Sequence, residues 1–278
     1  MTAKPISRTF GSKARIAPQL LALVPPGMRI WAEAFAGTAS LTLAKEPHPA
    51  EHINDLDGAI VGLFRVLRDP PLRDRLIEAV SLTPWAADEF QDCAAAPTTV
   101  DQVENARRYL VRCWQGVAGI RVTRTGFAAD LHARKARPLI WDSLPERLSA
   151  AAARFKQVHV HHLHVAEFVA IFAAADDAVL FVDPPYPRHS INTHDAGYAV
   201  DMNDGEHAAL AAQLRDVSAQ VILTMAPGTI YERVLTDWWR RLIPVRGLRN
   251  TIKDELVLTN FDPTARGLFA GPRSVAAS

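Results

Sequence analysis

The chain has little cysteine and no long apolar run. Its two cysteines, Cys93 and Cys113, show no metal-ligand spacing and are too few for a disulfide framework. No apolar run reaches the length that spans a membrane, and residues 1–10 are polar and basic, without the apolar core of a signal peptide. These absences predict a soluble protein of a reducing compartment.

The chain also has little net charge, +1 over 278 residues, so a nucleic-acid surface would need local clustering of basic residues. Such a cluster lies between Asn105 and Arg137, where Asp130 is the only acid. Its basic residues are Arg107, Arg108, Arg112, Arg121, Arg124, Arg134, Lys135 and Arg137. The glycine-rich run Val117–Phe127 is typical of a loop or hairpin that carries arginines. We expect DNA or RNA binding here, and a solvated basic face is the alternative.

The chain lacks a phosphate-binding loop, since it contains neither G-x-G-x-x-G nor a Walker sequence. Ile30–Ala32 is typical of a first strand, the small residues around Gly37 make a tight turn, and Ser40–Ala44 begin a helix. A strand, a small-residue turn and a helix indicate a nucleoside-binding α/β site. A phosphate is not the expected ligand.

A second predicted strand ends in acids at Asn54–Asp57, about twenty residues after this turn. At that spacing an acid can hydrogen-bond ribose hydroxyls. Asp55 and Asp57 can instead cap the helix that we predict over Gly58–Arg68. The two roles are compatible, because one acid can bind a ligand while the other caps the helix.

The most informative stretch is Ala178–Pro187, where five apolar residues lead into Asp183-Pro184-Pro185-Tyr186. The apolar run predicts a buried strand, and the prolines end it because they cannot donate to the ladder. Asp183 is therefore expected at the carboxyl end of a strand, where open α/β sheets bind ligands. The competing interpretation is a turn in which Asp183 only caps a neighbour, since Asp and Pro both favour turns.

Three further segments complete the pattern of elements. Histidines crowd the predicted strand Phe155–His164, but no cysteine or glutamate follows at a familiar zinc spacing, so a polar strand is favoured over a metal site. Ile243–Arg246 and Glu255–Asn260 predict two further strands, paired antiparallel.

Taken in order, these motifs resemble the Dam-like group of DNA adenine N6-methyltransferases over residues 8–262. The resemblance rests on Gly11-Ser12-Lys13, Glu33 with Phe35-Ala36-Gly37, Asn54-Asp55-Leu56-Asp57 and Asp183-Pro184-Pro185-Tyr186. It implies an α/β, Rossmann-like S-adenosylmethionine-dependent methyltransferase fold: a seven-stranded, mostly parallel sheet with a mainly helical DNA-recognition insert. The catalytic domain would comprise residues 1–70 and 150–265, the insert residues 71–149, and a flexible tail residues 266–278.

The resemblance also implies the site residues. The catalytic residues would be Asp183, Pro184, Pro185 and Tyr186. The cofactor S-adenosylmethionine would be bound by Thr9, Gly11, Lys13, Glu33, Phe35, Gly37, Asp55 and Asp183, with Thr9 and Lys13 at its methionine end and Asp55 at its ribose. DNA would be bound by Arg107, Arg112, Arg121, Arg124, Arg134 and Lys135. The expected protein acts on double-stranded DNA without a metal or a membrane, in the cytoplasm, on a prokaryotic nucleoid or encoded by a phage. The sequence leaves its oligomeric state open, with a monomer as the expectation.

Three positions depart from the family pattern. Ala34 stands where the family has proline, and Thr38 where it has a second glycine. Where the family has an acid that contacts the cofactor adenine, this chain offers His164 and Glu167. The departures raise the alternative of a DNA-binding relative with weakened catalysis.

The residues of the catalytic motif suit an amine as methyl acceptor. The amino nitrogen of adenine is a poor nucleophile because its lone pair is delocalised into the ring. The Asp183 carboxylate and the Pro184 carbonyl, as acceptors for the two amino hydrogens, would localise that pair. Neither cysteine lies in a place that fits cytosine C5 methylation, which needs a thiolate. Cytosine N4, an RNA adenine and a glutamine amide remain alternative targets.

Overall fold

The computed structural model describes residues 2–7, 12–117, 126–129, 137–187, 200–246 and 252–265. Within them, the strands form one seven-stranded sheet. The strands are β1 (Ile30–Glu33), β2 (Ala50–Asn54), β3 (Val158–His161), β4 (Ala178–Val182), β5 (Gln220–Met225), β6 (Trp239–Arg246) and β7 (Ile252–Thr259).

The strand order across the sheet is β3-β2-β1-β4-β5-β7-β6. The first five strands are parallel, while β7 runs antiparallel to both β5 and β6. This arrangement confirms the predicted mostly parallel sheet and its late antiparallel pair. Because β1 lies between β2 and β4, the carboxyl ends of these three strands meet at one edge.

The central strand β4 is buried at all five positions. Leu180 and Val182 pack with the apolar residues of one face of the sheet, and Val179 and Phe181 pack with those of the other. A strand that is covered on both faces has no polar positions, which explains the unbroken apolar run in the sequence.

Helices cover both faces of the sheet. They are α1 (Ala17–Leu21), α2 (Ser40–Ala44), α3 (Gly58–Arg68), α4 (Pro70–Leu82), α5 (Ala87–Ala95), α6 (Gln102–Gln115), α7 (Arg137–Trp141), α8 (Leu144–Phe155), α9 (Val165–Ile171), α10 (Asp204–Arg215) and α11 (Ile230–Val234), with a short 3-10 helix at Lys13–Arg15. None of the helices in these segments combines the length and the apolar character that crossing a membrane requires.

Two helices meet at the prolines after α3. The Asp69 side chain accepts a hydrogen bond from the Leu72 backbone amide, and Pro70 and Pro71 occupy the first turn of α4. Proline suits this turn because its missing amide hydrogen would have no partner there. The same residues therefore end one helix and begin the next.

The region predicted as a recognition insert packs on the seven-stranded sheet through a shared core. Residues Leu76, Tyr109 and Leu148 of its helices belong to the same apolar cluster as Ile53 of β2 and Phe64 of α3. The division of the chain into two units stays a prediction, and residues 266–278, predicted as a tail, lie outside the described residues.

A buried ion cluster anchors β2 at the amino half of the strand. The Glu51 side chain, 1% exposed, accepts two hydrogen bonds from Arg154 of α8, at 2.5 and 2.8 Å, and another from Lys45 after α2. Arg154 also donates to the Thr42 carbonyl of α2 at 3.1 Å. Burial raises the pKa of Glu51, but its basic partners more than offset this and lower it overall. The carboxylate therefore stays charged and holds three elements together.

We expect the Arg154→Met substitution to lower the free energy of unfolding by about 3–5 kcal/mol, because it leaves a buried carboxylate short of a partner. Urea unfolding measures this. The control is Arg75→Ala, which breaks an exposed ion pair with Asp101 at 3.1 Å and should cost less than ~1 kcal/mol. Equal losses for the two variants would contradict the structural role of the buried cluster.

Candidate active site

The carboxyl ends of β1, β2 and β4 border one cavity of about 210 Å³. The cavity brings together motifs that are far apart in the sequence. Among the residues predicted to bind a cofactor, those that line it are Lys13, Glu33, Phe35, Gly37, Asp55 and Asp183. Pro184 and Pro185 of the predicted catalytic motif line it as well.

Asp183 follows β4 directly, and its carboxylate is held from two sides. Oδ1 accepts a hydrogen bond from the Thr224 hydroxyl of β5 at 2.9 Å and lies 2.7 Å from the Lys13 Nζ atom. Within the described part of the chain both contacts go to Oδ1, so Oδ2 is left for a ligand in the cavity. Asp183 is therefore oriented by the sheet rather than used as a helix cap.

Lys13 is the centre of a four-residue cluster, which we call the Lys13 cluster: Lys13, Asp183, Tyr186 and Glu255. Its Nζ atom lies 3.2 Å from the Tyr186 hydroxyl and 3.2 Å from Glu255 Oε1. The Tyr186 hydroxyl donates a short hydrogen bond to the same Glu255 oxygen. The cluster joins the 3-10 helix, the turn after β4 and strand β7.

The ionisation of the Lys13 cluster follows from its burial. Burial disfavours the charge on Lys13, but Asp183, Tyr186 and Glu255 more than compensate and hold its pKa well above the ordinary value. Burial raises the pKa of Asp183 and of Glu255, and the Lys13 ammonium opposes both shifts. One ammonium therefore serves two carboxylates.

Glu33, the last residue of β1, is 2% exposed and lacks a direct basic partner among the described residues. Its Oε2 atom accepts hydrogen bonds from the Thr42 hydroxyl at 2.6 Å and the Thr42 amide at 3.3 Å. Burial raises its pKa to about 8, although both Thr42 bonds lower it. At neutral pH the unliganded protein therefore favours a protonated Glu33, which a cationic ligand would ionise.

The turn after Glu33 accommodates both departures from the family pattern. The Ala34 amide donates to the Phe181 carbonyl at 2.9 Å, a hydrogen bond that proline could not make. Gly37 has a φ of 48°, where glycine is favoured, whereas Thr38 does not have a positive φ. The alanine and the threonine therefore fit the backbone of this turn without strain.

The end of β2 is tied to that turn by side chains. The two oxygens of Asp55 accept hydrogen bonds from the amides of Gly37, at 2.7 Å, and Asp57, at 2.8 Å. Asp57 in turn caps α3 by accepting from the Ala59 amide at 2.9 Å. Asp57 therefore caps the helix, as one of the two predicted roles required. Burial raises the pKa of Asp55, although hydrogen bonds from its amide partners oppose the shift.

His164 and Glu167 are separated by the geometry. His164 lines the cavity together with Leu163 and Val165, and its side chain accepts a hydrogen bond from the Ala166 amide at 3.3 Å. Glu167 lies within α9 and is not part of the cavity wall. Of the two residues, only His164 lines the cavity, and its contact with a cofactor adenine stays a prediction.

The histidines of β3 form a stack with a neighbour on β2. The rings of His52 and His159 are 4.6 Å apart, and His52 Nδ1 lies 3.1 Å from His161 Nε2. Burial and the two neighbouring imidazoles lower the pKa of His52 to about 4, so its ring is neutral. Among the described residues, no group of three or more potential ligands has a metal-binding arrangement.

Several predicted site residues lie outside the described residues: Thr9, Gly11, Arg121, Arg124, Arg134 and Lys135. Of the other predicted DNA contacts, Arg107 pairs with Glu104 at 2.7 Å and Glu89 at 2.5 Å, and Arg112 donates to the Cys93 carbonyl at 3.1 Å. These bonds hold both arginines within the helical region, where they join α5 to α6. Their contact with DNA stays a prediction.

Two residues of the site, Thr224 and Glu255, were not predicted from the sequence, and Asn54 was predicted only as part of a motif, without its contacts. The Asn54 amide donates to the carbonyls of Ala34 and Leu163, both at 3.1 Å, and so joins the ends of β1 and β3. The signal for Thr224 was a polar residue near the end of an apolar strand. No sequence pattern around Glu255 indicated its role, because its partners, Lys13 and Tyr186, are distant in the sequence and meet it only in the folded sheet.

We expect Glu33→Gln to stabilise the unliganded protein above neutral pH. Between the ordinary pKa of 4.5 and the folded value of about 8, the folded state holds a proton that the unfolded state has released. The free energy of unfolding of the natural protein should therefore fall as the pH rises through this range. The variant should gain up to ~4 kcal/mol at pH 8 and nothing below pH ~4.5.

Thermal unfolding from pH 4 to pH 9 checks this expectation. The exposed Glu78→Gln variant on α4 is the control, and its melting temperature should track that of the natural protein at every pH. A Glu33→Gln difference that did not change with pH would contradict the assigned ionisation of Glu33.

Comparison with known proteins agrees with the geometry of the site. Residues 10–247 match the model of the family of D12 class N6 adenine-specific DNA methyltransferases. No match is found among curated proteins. The matched span includes the cavity, the turn after β4 and the helical region, but ends before β7.

Proposed function

Because the chain belongs to the D12 class N6 adenine-specific DNA methyltransferase family, we propose that its cavity binds S-adenosylmethionine and that Asp183–Tyr186 receive the target adenine. The chain is a DNA adenine N6-methyltransferase, and its substrate is DNA. The family favours adenine over the other planar amines. The observation that carries the proposal is the Asp183 carboxylate, oriented by Lys13 and Thr224 with Oδ2 left for a ligand.

The cavity wall fits the chemical groups of the proposed cofactor. The sulfonium and ammonium cations suit a cavity lined by Glu33 and Asp183, and the ribose diol suits Asp55. The purine suits the apolar part of the wall, which includes Ile60 and Leu163. When bound, S-adenosylmethionine supplies a methyl group that its sulfonium already activates.

In the proposed reaction, Asp183 and the Pro184 carbonyl accept hydrogen bonds from the two hydrogens of the adenine amine. These bonds hold the lone pair of the nitrogen out of the ring and direct it towards the methyl group. The amine must lose one proton after transfer, and Asp183 Oδ2 is the acceptor in reach. Since the prolines fix the carbonyl direction, positioning provides much of the rate.

Tyr186 is proposed to stack on the target adenine. The base must first leave the double helix, which costs a few kcal/mol. Stacking on an aromatic ring contributes about 1–3 kcal/mol per base and offsets this cost. The Tyr186 ring is partly exposed, and its hydroxyl is already held by Glu255 and Lys13.

We expect Asp183→Ala to abolish methyl transfer while S-adenosylmethionine binding largely survives. The carboxylate is the acceptor for the amine, whereas the cofactor keeps contacts elsewhere in the cavity. Formation of N6-methyladenine in mixed DNA, measured with labelled cofactor, and calorimetric binding of the cofactor separate the two effects.

The matched control is Asp176→Ala, an exposed acid that precedes the opposite end of β4. It should keep near-natural activity. Methylation by Asp183→Ala at a rate close to that of the natural protein would refute the role of Asp183.

Two arginines between Val117 and Phe127 provide a test of the DNA-binding proposal. We expect replacement of both Arg121 and Arg124 by Ala to weaken DNA binding and to flatten its dependence on salt, because fewer counterions are released. The control is Arg29→Ala, whose side chain lies 70% exposed at the amino end of β1, away from the cavity. A salt slope that the double variant leaves unchanged would exclude the two arginines from the interface.

A further inference from the structure

Glu255 lies outside every motif of the sequence and outside the span matched by the family, yet it faces the active site. Its neighbour Leu256 pairs with Met225 at the carboxyl end of β5, so Glu255 lies level with the edge of the sheet that borders the cavity. The residue is 8% exposed. Antiparallel pairing of β7 with β5 thus places the Glu255 carboxylate at the edge of the sheet that borders the cavity.

The contacts of Glu255 are made with the site. Among the described residues, the partners of its side chain are the Tyr186 hydroxyl and Lys13 Nζ, the latter at 3.2 Å. In the part of the chain that the structure describes, this side chain caps no helix and pairs with no residue of the surrounding sheet. A carboxylate that served only to stabilise β7 would be expected to bond within the strand or its neighbours, and this one does not.

We propose that Glu255 is a positioning residue for methyl transfer, which holds the Tyr186 ring by its hydroxyl and shares Lys13 with Asp183. The inference rests on the proposed roles of Asp183 and Tyr186. It adds to them a group that need not touch the adenine or the cofactor.

The first consequence concerns the orientation of the ring. Tyr186 follows two prolines, which stiffen the backbone before it, but its own side-chain torsions are left free by them. The hydrogen bond to Glu255 fixes the far end of the side chain, so the ring is restrained at both ends. A stacking surface that is already in place loses less entropy when the base arrives.

The second consequence concerns the charge on Asp183. The charged or titratable groups facing it are Lys13, Tyr186, Glu255 and Glu33. Without Glu255, the ammonium of Lys13 would have one carboxylate fewer to neutralise and would hold the carboxylate of Asp183 more tightly. The pKa of Asp183 would then fall, and the carboxylate would be a poorer acceptor for the amine.

The test uses the natural protein, Glu255→Gln, Tyr186→Phe and the double variant. Glutamine keeps the size and an oxygen acceptor but removes the charge. We expect Glu255→Gln to lower kcat for DNA methylation about tenfold, with less than a ~3-fold change in the dissociation constant of S-adenosylmethionine. The acidic limb of the kcat profile should shift to lower pH, since removing a negative charge lowers the pKa of Asp183.

The double variant separates positioning from general loss of structure. Since Glu255 acts partly through the Tyr186 hydroxyl, its substitution should cost less in the Tyr186→Phe background than alone. The control on the same strand is the exposed Asp254→Asn, which should keep natural kcat and an unshifted profile. Thermal unfolding of all variants identifies any that fail to fold, and additive stability changes for Glu255→Gln and Tyr186→Phe would themselves overturn the proposed contact.

The outcomes distinguish this inference from the proposed function. If the natural protein forms N6-methyladenine and Glu255→Gln does so with equal kcat and an unshifted acidic limb, the positioning role is refuted and the function stands. If the natural protein forms no N6-methyladenine with labelled cofactor and DNA, the proposed function fails and this inference falls with it.

Discussion

The site depends on one buried ammonium group shared by two carboxylates. Lys13 contacts Asp183 after β4 and Glu255 on β7. It also contacts Tyr186, which lies 173 positions further along the chain. A buried carboxylate without a partner is strongly disfavoured, so each acid needs this contact to stay charged. Because of this requirement, the start of the chain, the turn after β4 and strand β7 must lie next to one another. The same contact orients the turn after β4, because Lys13 and Thr224 both hold Oδ1 of Asp183.

The local elements of the fold could be predicted because their signals are local. The bounds of β4 and α3 follow from apolar runs that proline ends or a capping acid begins, and the structure has them as predicted. The seven-stranded arrangement could be expected from the resemblance alone, since no periodicity reveals strand order. The contacts of Asn54, Thr224 and Glu255 were not predicted, because the partners of these side chains lie at long range. Register across the sheet, rather than any nearby residue, decides what these side chains meet.

The turn beneath the cavity shows why a departure from a family pattern must be judged in three dimensions. Ala34 replaces a proline, but its amide completes a hydrogen bond to Phe181, and its carbonyl accepts one from Asn54. Thr38 replaces a glycine at a position that does not require one, whereas Gly37 and Ala39 adopt positive φ. The support for the cavity thus comes from β4 and from β2 as well as from the turn itself. A cluster of charges at the other half of β2, around Glu51, fixes that strand independently.

The hydrogen bond between the Gly37 amide and Asp55 links the cavity wall to helix α3. Asp55 accepts the Gly37 amide with one oxygen and the Asp57 amide with the other, and Asp57 begins α3. A ligand that hydrogen-bonds Asp55 would therefore contact a carboxylate that already joins the turn after β1 to the first turn of that helix. Helix α3 packs against α6, in the region predicted to meet DNA. A single carboxylate thus connects the wall of the cavity to the helix on which α6 packs, while contact between α6 and DNA stays a prediction.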